Sequence, residues 1–152
     1  MGLNWQINPS TGWGVLGLNL ALQAERNGGL RIVPLVSTSG VEHFSPEQSQ
    51  LMEQVLNRER IARPLLNRNK DRICLCEFPI VQGLGNRFKY VALDGIDRVK
   101  GSTNLAIIFF EDTELGGAAL ARRRKFDLIL AGSNWNKRIL QHAGIAKVEV
   151  FS

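Results

Sequence analysis

The chain has 152 residues, 44% of them apolar and 22% charged, and carries a net charge of +5. That length suits one domain around one core, and the composition is ordinary for a soluble globular protein. No apolar run approaches the roughly 20 residues that cross a bilayer, and no basic stretch with a following apolar run marks a signal peptide, so a cytoplasmic protein is expected.

Apolar runs alternate with helical patterns from end to end, which predicts βαβ units. The expected fold is α/β and Rossmann-like over residues 1–152, a mostly parallel sheet with helices on both faces. A first strand is expected over 3–8, ended by Pro9, with a glycine loop at 10–14 and a helix over 15–27. Gly28 and Gly29 stop that helix, since glycine accepts the left-handed cap. Residues 31–36 read as the second strand, and Pro34 points to a strand end or a sheet edge. Ser45, Pro46 and Gln48 fit the N-cap, N1 and N3 of a helix that runs to about Arg60 and stops before Pro64.

The third strand is expected over 72–77, broken at Pro79, with a glycine-containing loop at 82–86 and a short strand over 87–93. Residues 104–110 form a continuous apolar run, hence a central strand buried on both faces. A helix over 115–125, a buried strand over 127–131, a helix capped by Ser133 and closed by Gly144, and a strand over 148–151 complete the chain. A strand running into the terminus suggests a boundary set by truncation of a longer protein, because natural ends more often trail into a polar tail.

The positive charge favours phosphate-bearing ligands, nucleic acid or an anionic membrane surface without choosing among them. It concentrates in 122–125 and 57–72, where no aromatic residues interleave as a single-strand binder needs, so no nucleic-acid partner is expected. A membrane surface stays open with no motif to indicate it. Arg122 to Lys125 also close a helix, where cations meet the negative end of the dipole. Cys74 and Cys76 share one strand face, but no second Cys or His pair completes four metal ligands. Small buried thiols under a helix account for them, and neither a metal nor a disulfide framework is expected.

Three segments could carry chemistry. Gly12, Trp13 and Gly14 lie between the first strand and first helix, where α/β sheets bind ligands and helix N–H groups point outward. Gly12, Gly14 and Gly17 match the dinucleotide spacing literally, yet the ribose-binding acid about 20 residues on is missing. A tight turn, or a phosphate- or sugar-contacting loop, are the other readings. Glu111 and Asp112 follow the central strand, where they could bind sugar hydroxyls or act as a base; the plain alternative is that Asp112 or Thr113 caps the next helix. Ser133 and Asn134 open the last helix, whose free N–H groups could meet a ligand, although capping alone explains Ser133. His43 and His142 have no partner at motif spacing, and no nucleophilic triad is readable.

At these residues the chain resembles group-1 glycosyltransferases of the GT-B fold. Gly12-Trp13-Gly14-Val15 through Asn19-Leu20-Ala21-Leu22 resembles their glycine loop and first helix. Phe110-Glu111-Asp112-Thr113, Asp127 through Ser133-Asn134-Trp135-Asn136 to Leu140, then Ala143-Gly144 and Val148-Glu149-Val150, resemble the later part of the same N-terminal domain. The segment 41–72 carries the least of the likeness. The resemblance implies two Rossmann-like domains facing across a cleft, the N-terminal one holding the acceptor and the absent C-terminal one most of the nucleotide-sugar. A sugar then passes from a nucleotide diphosphate to an acceptor hydroxyl, usually without metal, as helix N-termini and basic groups stabilise the departing charge. Gly12 and Gly14 would face donor diphosphate and acceptor, Glu111 the acceptor side of the cleft, and Ser133 the domain junction. The family's frequent mid-domain histidine has no counterpart, so no catalytic base is assigned. The partners implied are the nucleotide-sugar, the acceptor and the chain's own second domain, and the chain alone is expected to be inactive. The alternative is a non-catalytic nucleotide- or phosphate-binding module; a Rossmann oxidoreductase is disfavoured by the missing acid.

Overall fold

The computed structural model describes residues 1–69, 71–92 and 98–151. Its strands are β1 (Gly2–Asn4), β2 (Val33–Pro34), β3 (Cys74–Leu75), β4 (Ile80–Leu84), β5 (Val99–Lys100), β6 (Asn104–Ile108), β7 (Leu128–Ala131) and β8 (Val148–Val150). The helices are α1 (Gly12–Asn27), α2 (Pro46–Arg68), α3 (Gly117–Arg122) and α4 (Asn134–His142). Six strands form one parallel sheet in the order β2-β1-β4-β6-β7-β8, and β3 pairs with β5 beside it.

Alternation along the strands separates two cores. Leu3, Trp5 and Ile7 join Val81 and Ile107 on one face, against Leu18, Ala21 and Leu22 of α1 and Met52 and Val55 of α2. Leu84, Ala106, Ile108, Ile129 and Ala131 lie on the other, against Ala119 of α3 and Leu140 of α4. The protein is therefore an α/β, Rossmann-like domain with helices on both faces. Strand order reverses between β1 and β4, which places the topological switch point at the carboxyl ends of those two strands.

Pro34 sits on the edge strand β2, where its missing N–H removes no bond from the sheet. Ser45 accepts from the Gln48 N–H and Gln48 answers the Ser45 N–H, a complete capping box worth about 1 kcal/mol. Gly28 and Gly144 take positive φ at the ends of α1 and α4.

Several expected boundaries are corrected. The first turn of α1 begins at Gly12, so the glycine segment is helix rather than loop, because the Thr11 side chain caps it. α2 does not stop before Pro64 but runs through it to Arg68. Its last turn is held from outside, as Arg63 donates to the Ser37 hydroxyl at 2.9 Å and Arg98 donates to the Leu66 carbonyl at 3.0 Å. The expected third strand is only β3, outside the main sheet, and both cysteines are half-buried rather than enclosed. The supposed loop at 82–86 overlaps β4, a fully buried central strand. Glycine at position 83 reads as a break, yet it lies under the Trp13 ring, whose nearest atom stands 3.0 Å from where a Cβ would go. In place of a strand over 87–93 the described part holds a 3-10 turn at Asn86–Phe88 with positive φ at Arg87 and Phe88; Leu93 lies outside the described residues. The helix expected over 115–125 is α3 followed by a 3-10 turn at Arg123–Lys125. No described helix is long and apolar enough to cross a membrane.

Candidate functional site

From the end of β1 the chain runs on in a polar alternation: Asn4, Gln6 and Asn8 interleave with buried Trp5 and Ile7, and all three polar residues line a crevice. Asn8 organises its upper lip. Its Oδ1 accepts from the backbone N–H of Ser10 at 2.9 Å and of Thr11 at 2.8 Å, and from the Thr11 hydroxyl at 3.2 Å. Thr11 Oγ1 in turn accepts from the Gly14 N–H at 3.1 Å, which closes the first turn of α1. Glycine is required at position 14 because a Cβ there would fall onto the Asn8 carboxamide, whereas at Gly12 the space is open and belongs to the crevice.

Trp13 is clamped rather than free. Its carbonyl accepts the Trp5 indole N–H at 2.8 Å, and its ring meets Trp5 and Phe109 edge-on with centroids 5.4 and 5.3 Å apart. Such aromatic pairs add about 0.5–1.5 kcal/mol each beyond area burial. The ring thus lies over the ends of β4 and β6 and divides the carboxyl rim of the sheet.

On one side of Trp13 is the crevice, about 670 Å³ in volume, walled by Thr11, Gly12, Leu35 to Ser37, the last turns of α2, Val91 and Arg98. On the other is a hollow of about 410 Å³ between Gly85, Asn86, Phe109, Phe110, Glu111 and Asn136. A smaller apolar recess of about 300 Å³ between Gly12, Trp13, Leu16 and Phe109 lies between them. The glycine segment and Glu111 therefore share a rim but line different hollows.

Asp112 and Glu114 are taken by Arg87, which donates to them at 2.9 and 3.1 Å. The Glu114 backbone N–H, at 2.9 Å from Asp112 Oδ1, and then Arg87 hold the Asp112 carboxyl below its usual value. Asp112 caps no helix, since α3 starts at Gly117 behind Gly116, and the capping alternative for Asp112 or Thr113 is set aside. Glu111 is exposed, its N–H donates to Asn86 Oδ1 at 3.0 Å, and its carboxylate has no partner among the described residues.

Ser133 caps α4 by accepting from the Asn136 N–H at 3.0 Å. Asn134 is exposed, and the residue of this segment that lines the hollow is Asn136, whose buried amide also donates to the Phe110 carbonyl at 2.9 Å. His142 places its Nδ1 2.7 Å from the Arg138 carbonyl and lies away from the rim at the far end of α4.

The sequence reading missed Asn4, Asn8, Arg63 and Arg98. The first two had a visible signal, because polar residues alternating with buried apolar ones in a first strand mark a face without a core. Arg63 and Arg98 had none, since their place depends on where α2 ends. The chain matches no protein-family model, no curated protein and no solved structure.

Proposed function

We propose that this chain is the acceptor-side domain of a GT-B glycosyltransferase, transferring a sugar from a nucleotide-diphosphate donor to an acceptor hydroxyl together with a second domain that holds the donor. The observation that carries the reading is the crevice at the switch point, lined by Asn4, Gln6 and Asn8 and bordered by the first turn of α1. Side-chain amides and hydroxyls suit sugar hydroxyls, and helix N–H groups suit phosphate. The first turn of α1 carries no acid to oppose an anion.

Val15, Phe109 and Trp135 stay 38%, 40% and 44% exposed, apolar side chains that suit a surface facing another domain. In this arrangement Gly12 and Trp13 border the site where acceptor and donor diphosphate meet, and Glu111 reaches the acceptor from the second hollow. A nucleotide- or phosphate-binding module without catalysis is the second reading, favoured by the unpaired Asn4 amide in the crevice.

Tryptophan fluorescence tests the reading, because Trp13 borders the crevice. UDP-glucose should quench it only at millimolar concentrations, since most of the donor site belongs to the second domain, and Trp13→Phe should remove most of the change. Tight, stoichiometric binding of the nucleotide-sugar, or of NADH, contradicts the assignment.

A further inference from the structure

The described lining of the crevice is basic. Its described lining contains two arginines, Arg63 and Arg98, and neither aspartate nor glutamate. Arg63 is partly offset by Glu59, 3.8 Å away and buried behind it, while it donates to Ser37 Oγ. Arg98 has no carboxylate partner among the described residues, Asp94 and Asp97 lying outside them: its Nη1 donates to the carbonyls of Leu66 and Asn69 at 3.0 and 2.9 Å. A third acceptor, Cys74 Sγ at 3.9 Å, completes the set that holds this cation at the crevice wall, against the C-terminal carbonyls of α2.

A second observation points the same way. Asn4 is 2% exposed, lines the crevice, and its Nδ2 has no hydrogen-bond partner. A buried donor left unsatisfied costs about 1–3 kcal/mol, and an acceptor in the crevice recovers that cost once the enclosed Asn4 amide turns toward it. The neighbouring β-strand residue Gln82 also has an unpartnered Oε1, but it lines a different hollow with Tyr90, Lys100 and Asn104. Two arginines, one orphaned amide donor and a helix N-terminus of sixteen residues without acid converge on one space.

We infer that the molecule held in this crevice is an anion, an acceptor that carries a phosphate or carboxylate beside the hydroxyl to be glycosylated. This rests on the acceptor-side reading above and narrows it to a charged substrate class. Arg98 and the Asn4 amide bind the anionic group, Arg63 flanks it, and the sugar-like part lies toward Gln6 and Asn8.

Calorimetry on the full chain with inorganic phosphate, glucose 6-phosphate and methyl glucoside tests it. Glucose 6-phosphate should bind best, phosphate more weakly and methyl glucoside least, with affinity falling as salt rises. Arg98→Met should weaken glucose 6-phosphate on the order of tenfold and Arg98→Lys less, with circular dichroism confirming that both fold. Arg63→Met, which leaves the α2 carbonyls paired, should weaken it as well. Methyl glucoside binding as well as its phosphorylated counterpart, unchanged affinity in folded Arg98→Met, or no binding of either anion overturns the inference; the first of these leaves the transferase reading standing. Salt-sensitive, Arg98-dependent phosphate binding that a sugar moiety does not improve leaves the anion site standing and counts against sugar transfer.

Discussion

Trp5→Ala is expected to destabilise the domain by about 4 kcal/mol, the range for removing a large aromatic from a closed core. Trp5 is fully buried between β1 and α1, and Gly17 approaches it so closely that a Cβ there would stand 2.9 Å from its indole nitrogen. The substitution opens a cavity and also leaves the Trp13 carbonyl without the indole N–H that it accepts. Trp5→Phe, which keeps a ring but no donor, should lose far less, about 1–2 kcal/mol. Urea unfolding midpoints at constant slope measure both. A loss below about 1 kcal/mol in Trp5→Ala contradicts the packing that fixes Trp13 over the rim.

Gly101→Ala should cost about 3 kcal/mol, at the upper end of overpacking effects. A Cβ at Gly101 would stand 2.7 Å from both the Ile80 nitrogen and the Phe78 oxygen and 2.8 Å from the Thr103 oxygen. All three are backbone atoms, so no side-chain rotation relieves the overlap. The same atoms take part in the bonds from Ile80 N–H to Thr103 and from Ser102 N–H to Phe78, at 2.9 and 3.2 Å. The start of β4 must shift relative to β6. Unfolding within about 0.5 kcal/mol of the parent, in the same urea experiment, runs against this register.

The architecture was legible where local chemistry agrees with tertiary context. The capping box at Ser45, the Ser133 cap and the glycine at 28 announce helix ends through bonds made within a few residues. The run that became β6 is apolar on both faces because both faces are covered. β4 was hidden because Gly83 serves a packing need set by Trp13, seventy positions earlier in sequence, and Gly83 and Gly85 within 82–86 together look like a turn. The length of α2 was hidden for a related reason: Pro64 discourages a helix locally, but Arg63 and Arg98 tether the turns beyond it.

The candidate site divides in the same way. Gly12, Trp13 and Gly14 were visible from their place after the first strand, and Glu111 from its place after the central one. Their separation into two hollows was not, because it depends on Trp13 and Phe109 meeting edge-on across the rim. Asp112 read as a candidate ligand group, yet Arg87, held with φ of 57°, already occupies it.

Amide chemical-shift mapping of the ¹⁵N-labelled chain with glucose 6-phosphate bears most directly on where the ligand sits. The largest shifts are predicted at Gly12, Trp13, Gly14, Ser37, Val91 and Arg98, around the carboxyl ends of β1 and β2. Shifts confined to the amino ends of β7 and β8, at Asp127 and Lys147, would contradict a substrate crevice at the switch point.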